Sequence, residues 1–199
     1  MPQTFYIVRH GNTFGPGDIV TRVGGRTDLN LSASGQDQAD ALAQNFAATP
    51  FARCLASPLK RTWQTAETIL AAQDTPPEIE PCDMLREMDY GPDENQPEEA
   101  VRARLGDAAL AAWDNRAKLP DGWQLDIPAL IRGWHALFAG SQPDGNTLIV
   151  TSNGIARFAL LAVAGAAHDH RLKLKTGAYG IVRTDTSGSP HIAAWNLRP

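Results

Sequence analysis

Thr4-Phe5-Tyr6-Ile7-Val8-Arg9-His10-Gly11 is the stretch on which the reading of the fold turns. Thr4 to Val8 is a short β-rich run that stops at an arginine, a histidine and a glycine, and a loop rich in Gly, Pro, Asn and Asp follows from Gly11 to Asp28. This is the pattern of a buried strand delivering polar residues to a loop. Working outward, Ser32 or Ser34 caps a helix beginning near Gly35, where Ala39, Leu42, Ala43 and Phe46 make an apolar stripe at helical spacing. Arg53 to Ser57 reads as a second strand, which Pro58 ends while opening the first turn of a helix through about Ala72. Glu78 to Pro81 adds a third strand. Thr147 to Thr151 is a continuous apolar, β-branched run, typical of a central parallel strand, and Ser152-Asn153-Gly154 turns directly into a helix near Ile155 to Ala167.

A helix from about Pro128 to Ala139 precedes that central strand, and Gly180 to Thr184 with His191 to Trp195 reads as an antiparallel edge around the turn Ser187-Gly188-Ser189-Pro190. Between Pro92 and Trp123 the composition shifts to charged, Ala-rich helical text bracketed by Pro97 and Pro120. The expectation is an α/β fold: a three-layer α/β/α sandwich with a mostly parallel central sheet. It is one domain over residues 1–199, with a small helical cap insertion at about 92–125. In such a sheet the ligand crevice lies at the carboxyl ends of the strands.

Composition narrows the function classes. The chain has 199 residues, 43% hydrophobic and 20% charged, with 18 Lys+Arg against 22 Asp+Glu and a formal net charge of -4. A mildly acidic balance argues against coating nucleic acid or an anionic membrane, both of which require a basic surface to displace counterions. It leaves room for a small cationic pocket. The two cysteines, Cys54 and Cys82, have no second cysteine or histidine at metal-ligand spacing and read as small buried apolar residues. The first residues lack the basic start and apolar stretch of a signal peptide, and the most apolar stretch, Ile155 to Ala167, is interrupted by Arg157 and too short to span a bilayer. A reducing cytoplasm fits these features.

The chemistry-bearing residues fall at the ends of the expected strands. Arg9 and His10 follow the first, with Gly11 allowing close backbone approach. A neutral imidazole nitrogen is a nucleophile for phosphorus, and a guanidinium beside it holds phosphoryl oxygens in a fork. Arg61, in the first turn of the second helix, can join Arg9 over an anion near the helix N-terminus. Glu87, in Leu85-Arg86-Glu87-Met88-Asp89-Tyr90-Gly91, is a carboxylate after the third strand, where a partly dry setting would raise its pKa toward that of a proton donor.

Taken in order, Ile7 to Thr13, Gly25 to Ala39, Ser57 to Ala66, Leu85 to Gly91 and Ile149 to Arg157 resemble the histidine phosphatase superfamily, the phosphoglycerate mutase-like phosphohydrolases. The resemblance spans most of the chain. It implies that His10 is the phosphorylated nucleophile, that Arg9 and Arg61 clamp the phosphate and that Glu87 donates a proton. It also implies that Gly11, Asn12, Thr13, Gly25 and Gly154 line the phosphate site, and that neither a metal nor a cofactor takes part. The expected partner is a small phosphorylated substrate, with a homodimer admitted and nucleic acid and membrane excluded.

The sequence departs from the family at Asn153, which stands where relatives carry a second histidine in text like Ser-His-Gly. An amide still donates a hydrogen bond, but it carries no charge and does not titrate. By analogy with the deletion of one oxyanion donor, the loss is on the order of 10²-fold to 10³-fold in rate. This leaves three readings open: a phosphomonoester hydrolase, a phospholigand-binding protein of weakened activity, and a mutase. His135, His168, His170 and His191 read as core or surface histidines. Phe14 to Asp18 occupies the loop where relatives place a phosphate-touching Asn. Asn95 stands in for a turn glycine by adopting positive φ. Tyr90, Trp113, Trp123 and Trp134 are read as packing residues that can also stack on a substrate.

Overall fold

A computed structural model describes residues 2–140, 143–163 and 171–199. Six strands form one sheet: β1 (Thr4–Arg9), β2 (Phe51–Ala56), β3 (Ile79–Pro81), β4 (Asn146–Thr151), β5 (Tyr179–Thr184) and β6 (Pro190–Leu197), in the order β3-β2-β4-β1-β5-β6. The pairs β1/β4, β2/β4 and β2/β3 are parallel, while β5 runs antiparallel to both β1 and β6. The α/β sandwich and its mostly parallel sheet are therefore as the sequence reads.

Strand β1 shows why the sheet is covered on both faces. Phe5 and Ile7 pack into a cluster with Trp134, Phe138, Ile155 and Phe158, from α5 (Ile127–Ala139) and α6 (Asn153–Ala162). Val8, one step out of phase, joins the opposite cluster with Leu42, Phe46, Ala66 and Ile69, from α1 (Ala33–Phe46) and α2 (Lys60–Leu70). The two-residue period of a strand sends successive side chains to opposite layers, so a strand buried on both faces is apolar throughout. Residues 91–125 contain a 3-10 turn (Gly91–Asp93), α3 (Glu98–Leu105) and α4 (Asp107–Arg116). Trp113 and Trp123 from this stretch join the same cluster as α5 and α6, and Asn95 takes φ 59° in the turn before α3.

Several boundaries differ from the sequence reading: β2 lies two residues earlier at its start, α2 ends at Leu70, and β6 is longer at both ends. Pro58 precedes α2 rather than opening it: Leu59 is extended and caps the helix, which starts at Lys60. Helix α6 starts two residues earlier than expected, at Asn153, and ends at Ala162 with Val163 extended. The expected remainder to Ala167, with His168 and His170, lies outside the described residues. Cys54 is buried as expected, its thiol pushed up to about 12 by burial, whereas Cys82 is only half-buried. No helix among the described residues is long and apolar enough to cross a membrane.

The loop after β1 is fastened to α1. Ser32 caps the helix by accepting from the Gly35 amide, and both the Ser32 amide and hydroxyl donate to the Asn12 carbonyl, at 2.9 and 3.1 Å. A Cβ on Gly35 would sit 2.0 Å from that same Asn12 oxygen. Gly35→Ala gains at most about 1 kcal/mol of helix propensity, but the collision forces the loop off the helix. A net loss of about 1 to 3 kcal/mol is expected for such overpacking. Urea unfolding checks it; an unchanged or raised midpoint would contradict the account.

Candidate active site

Four elements end at the carboxyl edge of the parallel strands, and each brings one part of the site. Strand β1 supplies Arg9 and then His10, whose amide donates to the Thr151 carbonyl of β4 at 3.1 Å and whose carbonyl accepts from Gly177 at 3.2 Å. The first turn of α2 supplies Arg61. The segment after the 3-10 turn Asp83–Leu85 supplies Glu87, held to β4 by the Thr151 hydroxyl donating to the Leu85 carbonyl at 2.7 Å. The junction of β4 and α6 supplies Asn153 and Gly154.

The hydrogen bonds of His10 fix its tautomer. Nδ1 lies 2.7 Å from the Gly11 carbonyl, which can only accept, and Nε2 lies 3.2 Å from Arg61 Nε, which can only donate. The proton is therefore on Nδ1 and the lone pair on Nε2. Burial, reinforced by the charges of Arg61 and Arg9, holds the imidazole well below the usual histidine range, although its bond to Gly11 acts the other way. The ring is thus a neutral base with its free nitrogen among guanidinium groups.

Arg61 is fully buried and gives its outer nitrogens to the Thr27 carbonyl at 2.8 Å and the Gly24 carbonyl at 3.1 Å. With the bond to His10, three of its five guanidinium N–H groups are used. Arg9 donates to the Leu174 carbonyl at 2.9 Å, while its buried Nε has no partner among the described residues. Burial pushes Arg9 down to about 10, against the pull of the Glu87 carboxylate, so it stays cationic at neutral pH. Burial also lowers Arg61, opposed chiefly by Glu87 and Asp28. An orphaned buried donor costs about 1 to 3 kcal/mol, which an anion at this spot would recover.

Glu87 is buried, with Oε2 accepting from the Gly154 amide at 3.1 Å and Oε1 from the Met88 amide at 3.0 Å. The first turn of α6 thus holds the carboxylate, where the positive end of the helix dipole favours negative charge. Asn153 accepts at Oδ1 from the Leu174 amide at 2.9 Å. That bond assigns the oxygen and leaves the NH2 group as a donor on the cavity wall.

Arg9, His10, Asn12, Thr13, Glu87 and Asn153 line one cavity of about 670 Å³. Gly11, Gly25 and Gly154 do not line it, and all three amides are spent on protein acceptors: Thr65 Oγ1 at 3.3 Å, the Met88 carbonyl at 2.8 Å and Glu87. They are glycines because a neighbouring backbone, or at Gly154 the Glu87 carboxylate, comes too close for a side chain. A Cβ would lie 2.3 Å from the Gly35 carbonyl at Gly11, 2.4 Å from the Glu87 carbonyl at Gly25 and 2.1 Å from Glu87 Oε1 at Gly154. Arg61 stands behind His10 rather than on the wall. Tyr90 and Trp113 are both buried and cavity-lining, so the packing and ligand readings coexist, whereas Trp123 and Trp134 belong to the core alone. His135 and His191 are exposed and away from the cavity.

The sequence reading missed two groups. Arg157 is fully buried with its guanidinium 4.0 Å above the Trp113 ring, donating to the Trp113 carbonyl at 2.7 Å and to the Asn153 carbonyl at 3.3 Å. It ties the start of α6 to α4. Its signal was a charge inside an apolar helix, four residues from Asn153 and so on the same face. The second group is the set of cations Arg22, Arg102, Lys173, Lys175 and Arg198 around the cavity, which come from segments with no motif.

The state of His10 makes stability pH-dependent. Its pKa is depressed in the folded chain, so below about pH 6.5 the unfolded chain takes a proton that the native ring refuses, and stability falls as pH falls until the folded pKa is reached. From pH 7.5 to 5.5 wild type should lose about 1 kcal/mol more than His10→Gln, which has no such proton to take. Denaturant unfolding at the two pH values measures this. Equal losses would mean that the ring titrates normally.

The family model described as the histidine phosphatase superfamily, branch 1, matches residues 5–198. Probable phosphoglycerate mutase GpmB of Proteus mirabilis is 32% identical over 202 residues, covering 94% of this chain and 87% of that protein, and its Erwinia tasmaniensis counterpart is 28% identical over 193. Among solved structures, a mycobacterial glucosyl-3-phosphoglycerate phosphatase complexed with VO3 superposes with a TM-score of 0.79 at 20% identity, over 98% of this chain and 99% of its own. The alpha-ribazole phosphatase from Shigella flexneri gives 0.74 at 22%, over 98% and 97%. With a family model running from the first strand to the end of the last, the chain belongs to the histidine phosphatase superfamily.

Proposed function

We propose that the chain hydrolyses a small phosphomonoester through a phosphohistidine on His10. The observation that carries this reading is the His10 tautomer: Nδ1 donates to Gly11, so the lone pair is on Nε2, where it accepts from Arg61 Nε until a phosphoryl group takes that place. In the first step Nε2 attacks phosphorus in line, the N–P bond forms and the P–O bond to the alcohol breaks, with Glu87 delivering a proton to the leaving oxygen. Charge on the phosphoryl oxygens falls to Arg9 and the Asn153 amide on the cavity wall, with Arg61 adding its charge from behind His10. In the second step Glu87 takes a proton from water, whose oxygen displaces His10 from phosphorus. Each step is completed by these side chains, without a metal or cofactor. A small phosphorylated metabolite suits a cavity of about 670 Å³.

Two observations keep other readings in view. Asn153 brings no charge, which suits a phospholigand-binding protein of slow turnover. Relatives carry the name phosphoglycerate mutase, which suits phosphoryl return to the substrate; a phosphoglycerate isomerised faster than it is hydrolysed would select that reading.

Incubation with a good phosphomonoester should give an acid-labile, base-stable phosphoryl label on the chain, absent from His10→Ala together with turnover. No label and no turnover above His10→Ala would overturn the proposal. Asn153→His should lower turnover, since an imidazole disturbs the bond to Leu174. A gain on the order of 10²-fold at unchanged phosphate affinity would instead select the weakened-site reading.

A further inference from the structure

We propose that Lys173, Lys175 and Arg198 form a subsite for a second anionic group on the substrate, a carboxylate or a further phosphate. The proposal rests on reading the surroundings of His10 as a phosphomonoester site and adds the class of phosphomonoester. The lysines sit on the segment between α6 and β5, where side chains alternate as in a strand: Leu172 and Leu174 are buried in the core, while Lys173 and Lys175 point the other way and line the cavity.

This segment is fastened to the reacting end of the site by its own backbone. The Leu174 carbonyl accepts from Arg9 Nη1 at 2.9 Å, and the Leu174 amide donates to Asn153 Oδ1 at 2.9 Å. The residue between the two lysines is thus held by two of the side chains assigned to the phosphoryl group. The chain end is tied in as well: the Lys175 amide donates to Asn196 Oδ1 at 2.8 Å, and Arg198 donates to the Thr176 carbonyl at 3.2 Å. The backbone that carries the two lysines, and the Arg198 guanidinium, are therefore held by hydrogen bonds, while the exposed lysine side chains extend from that fixed segment to the cavity.

Charge separates these three from the other cations of the cavity. Arg22 is paired with Glu98 at 2.5 Å and Arg102 with Asp107 at 2.6 Å. Lys173, Lys175 and Arg198 have no ion pair among the described residues, in a chain of net charge -4. Like charges brought together on one wall repel, and an anion between them relieves the repulsion. The cavity holds far more than one phosphoryl group, and Phe14, Leu110 and Trp113 give it an apolar face for the carbon body of the substrate. A lysine ammonium is a point charge without the planar fork of arginine, so a carboxylate and a phosphate are both accepted.

The test compares 3-phosphoglycerate with glycerol 3-phosphate, in which the carboxylate is replaced by a neutral hydroxymethyl group, and adds glycerate 2,3-bisphosphate for the second phosphate. The wild-type chain should favour 3-phosphoglycerate, with two anionic groups, and the bisphosphate, with three, by about tenfold in kcat/KM over glycerol 3-phosphate, mainly through KM, with the preference shrinking as salt rises. Lys173→Gln with Lys175→Gln should remove most of that preference. A preference for both compounds to the same degree assigns the subsite to a carboxylate, and a preference for the bisphosphate alone assigns it to a second phosphate; either supports the subsite. Equal use of all three by wild type, or a preference that survives the double substitution, overturns it. If none is turned over, calorimetric binding of the same compounds separates the two ideas: tighter binding of 3-phosphoglycerate or the bisphosphate than of glycerol 3-phosphate, lost in the double variant, upholds the subsite while the hydrolase reading fails. Equal binding overturns the subsite.

Discussion

The contact between Arg61 Nε and His10 Nε2 is the interaction on which the rest of the site depends. Its geometry requires that the proton sit on Nδ1, which the Gly11 carbonyl accepts, and it leaves the reactive nitrogen beside a buried cation. The same guanidinium reaches back to the Gly24 and Thr27 carbonyls, so the loop after β1, the first turn of α2 and the imidazole are fixed as one unit. A buried arginine with fewer partners would carry a heavy desolvation cost. Here that cost is offset by three hydrogen bonds and by the Glu87 carboxylate, which pulls against the burial that lowers its pKa.

The other half of the site is organised around the start of α6. Gly154 gives its amide to Glu87 and Asn153 takes the Leu174 amide, so one helix end places both the carboxylate and the amide donor. Arg157, one turn further, fastens that helix end to Trp113, and Arg9 fastens β1 to Leu174. Asn153 itself brings no charge, but Arg9 and the N-terminus of α6 lie beside it.

Much of the fold and the centre of the site were legible in the sequence, for physical reasons that also mark where legibility stops. Strand β1 and strand β4 are apolar runs because both sheet faces are covered, and His10, Arg9 and Asn153 follow from where those runs end. Arg61 was legible from its place in the first turn of a helix. Gly11, Gly25 and Gly154 were expected to line the phosphate site, whereas their positions are demanded by distant groups, the Gly35 and Glu87 carbonyls and the Glu87 carboxylate, which no local pattern records. The limits of α2 and α6 shifted because Leu59 and Ser152, neither with a side-chain cap, hold the entry positions. Lys173, Lys175 and Arg198 carry no sequence signal, since the segments that bear them are brought to the cavity by bonds across 20 or more residues, Leu174 to Asn153 being 21 apart.

The central claim is that His10 is held as a neutral Nδ1–H imidazole with a free Nε2. Long-range 1H–15N correlation spectra of the histidine rings, assigned with His10→Gln, test it most directly. The account requires an amine-type shift at Nδ1 and a pyridine-type shift at Nε2, both unchanged as pH is lowered from 7.5 to 5.5. The opposite tautomer, or a ring that protonates near pH 6.5, would contradict it.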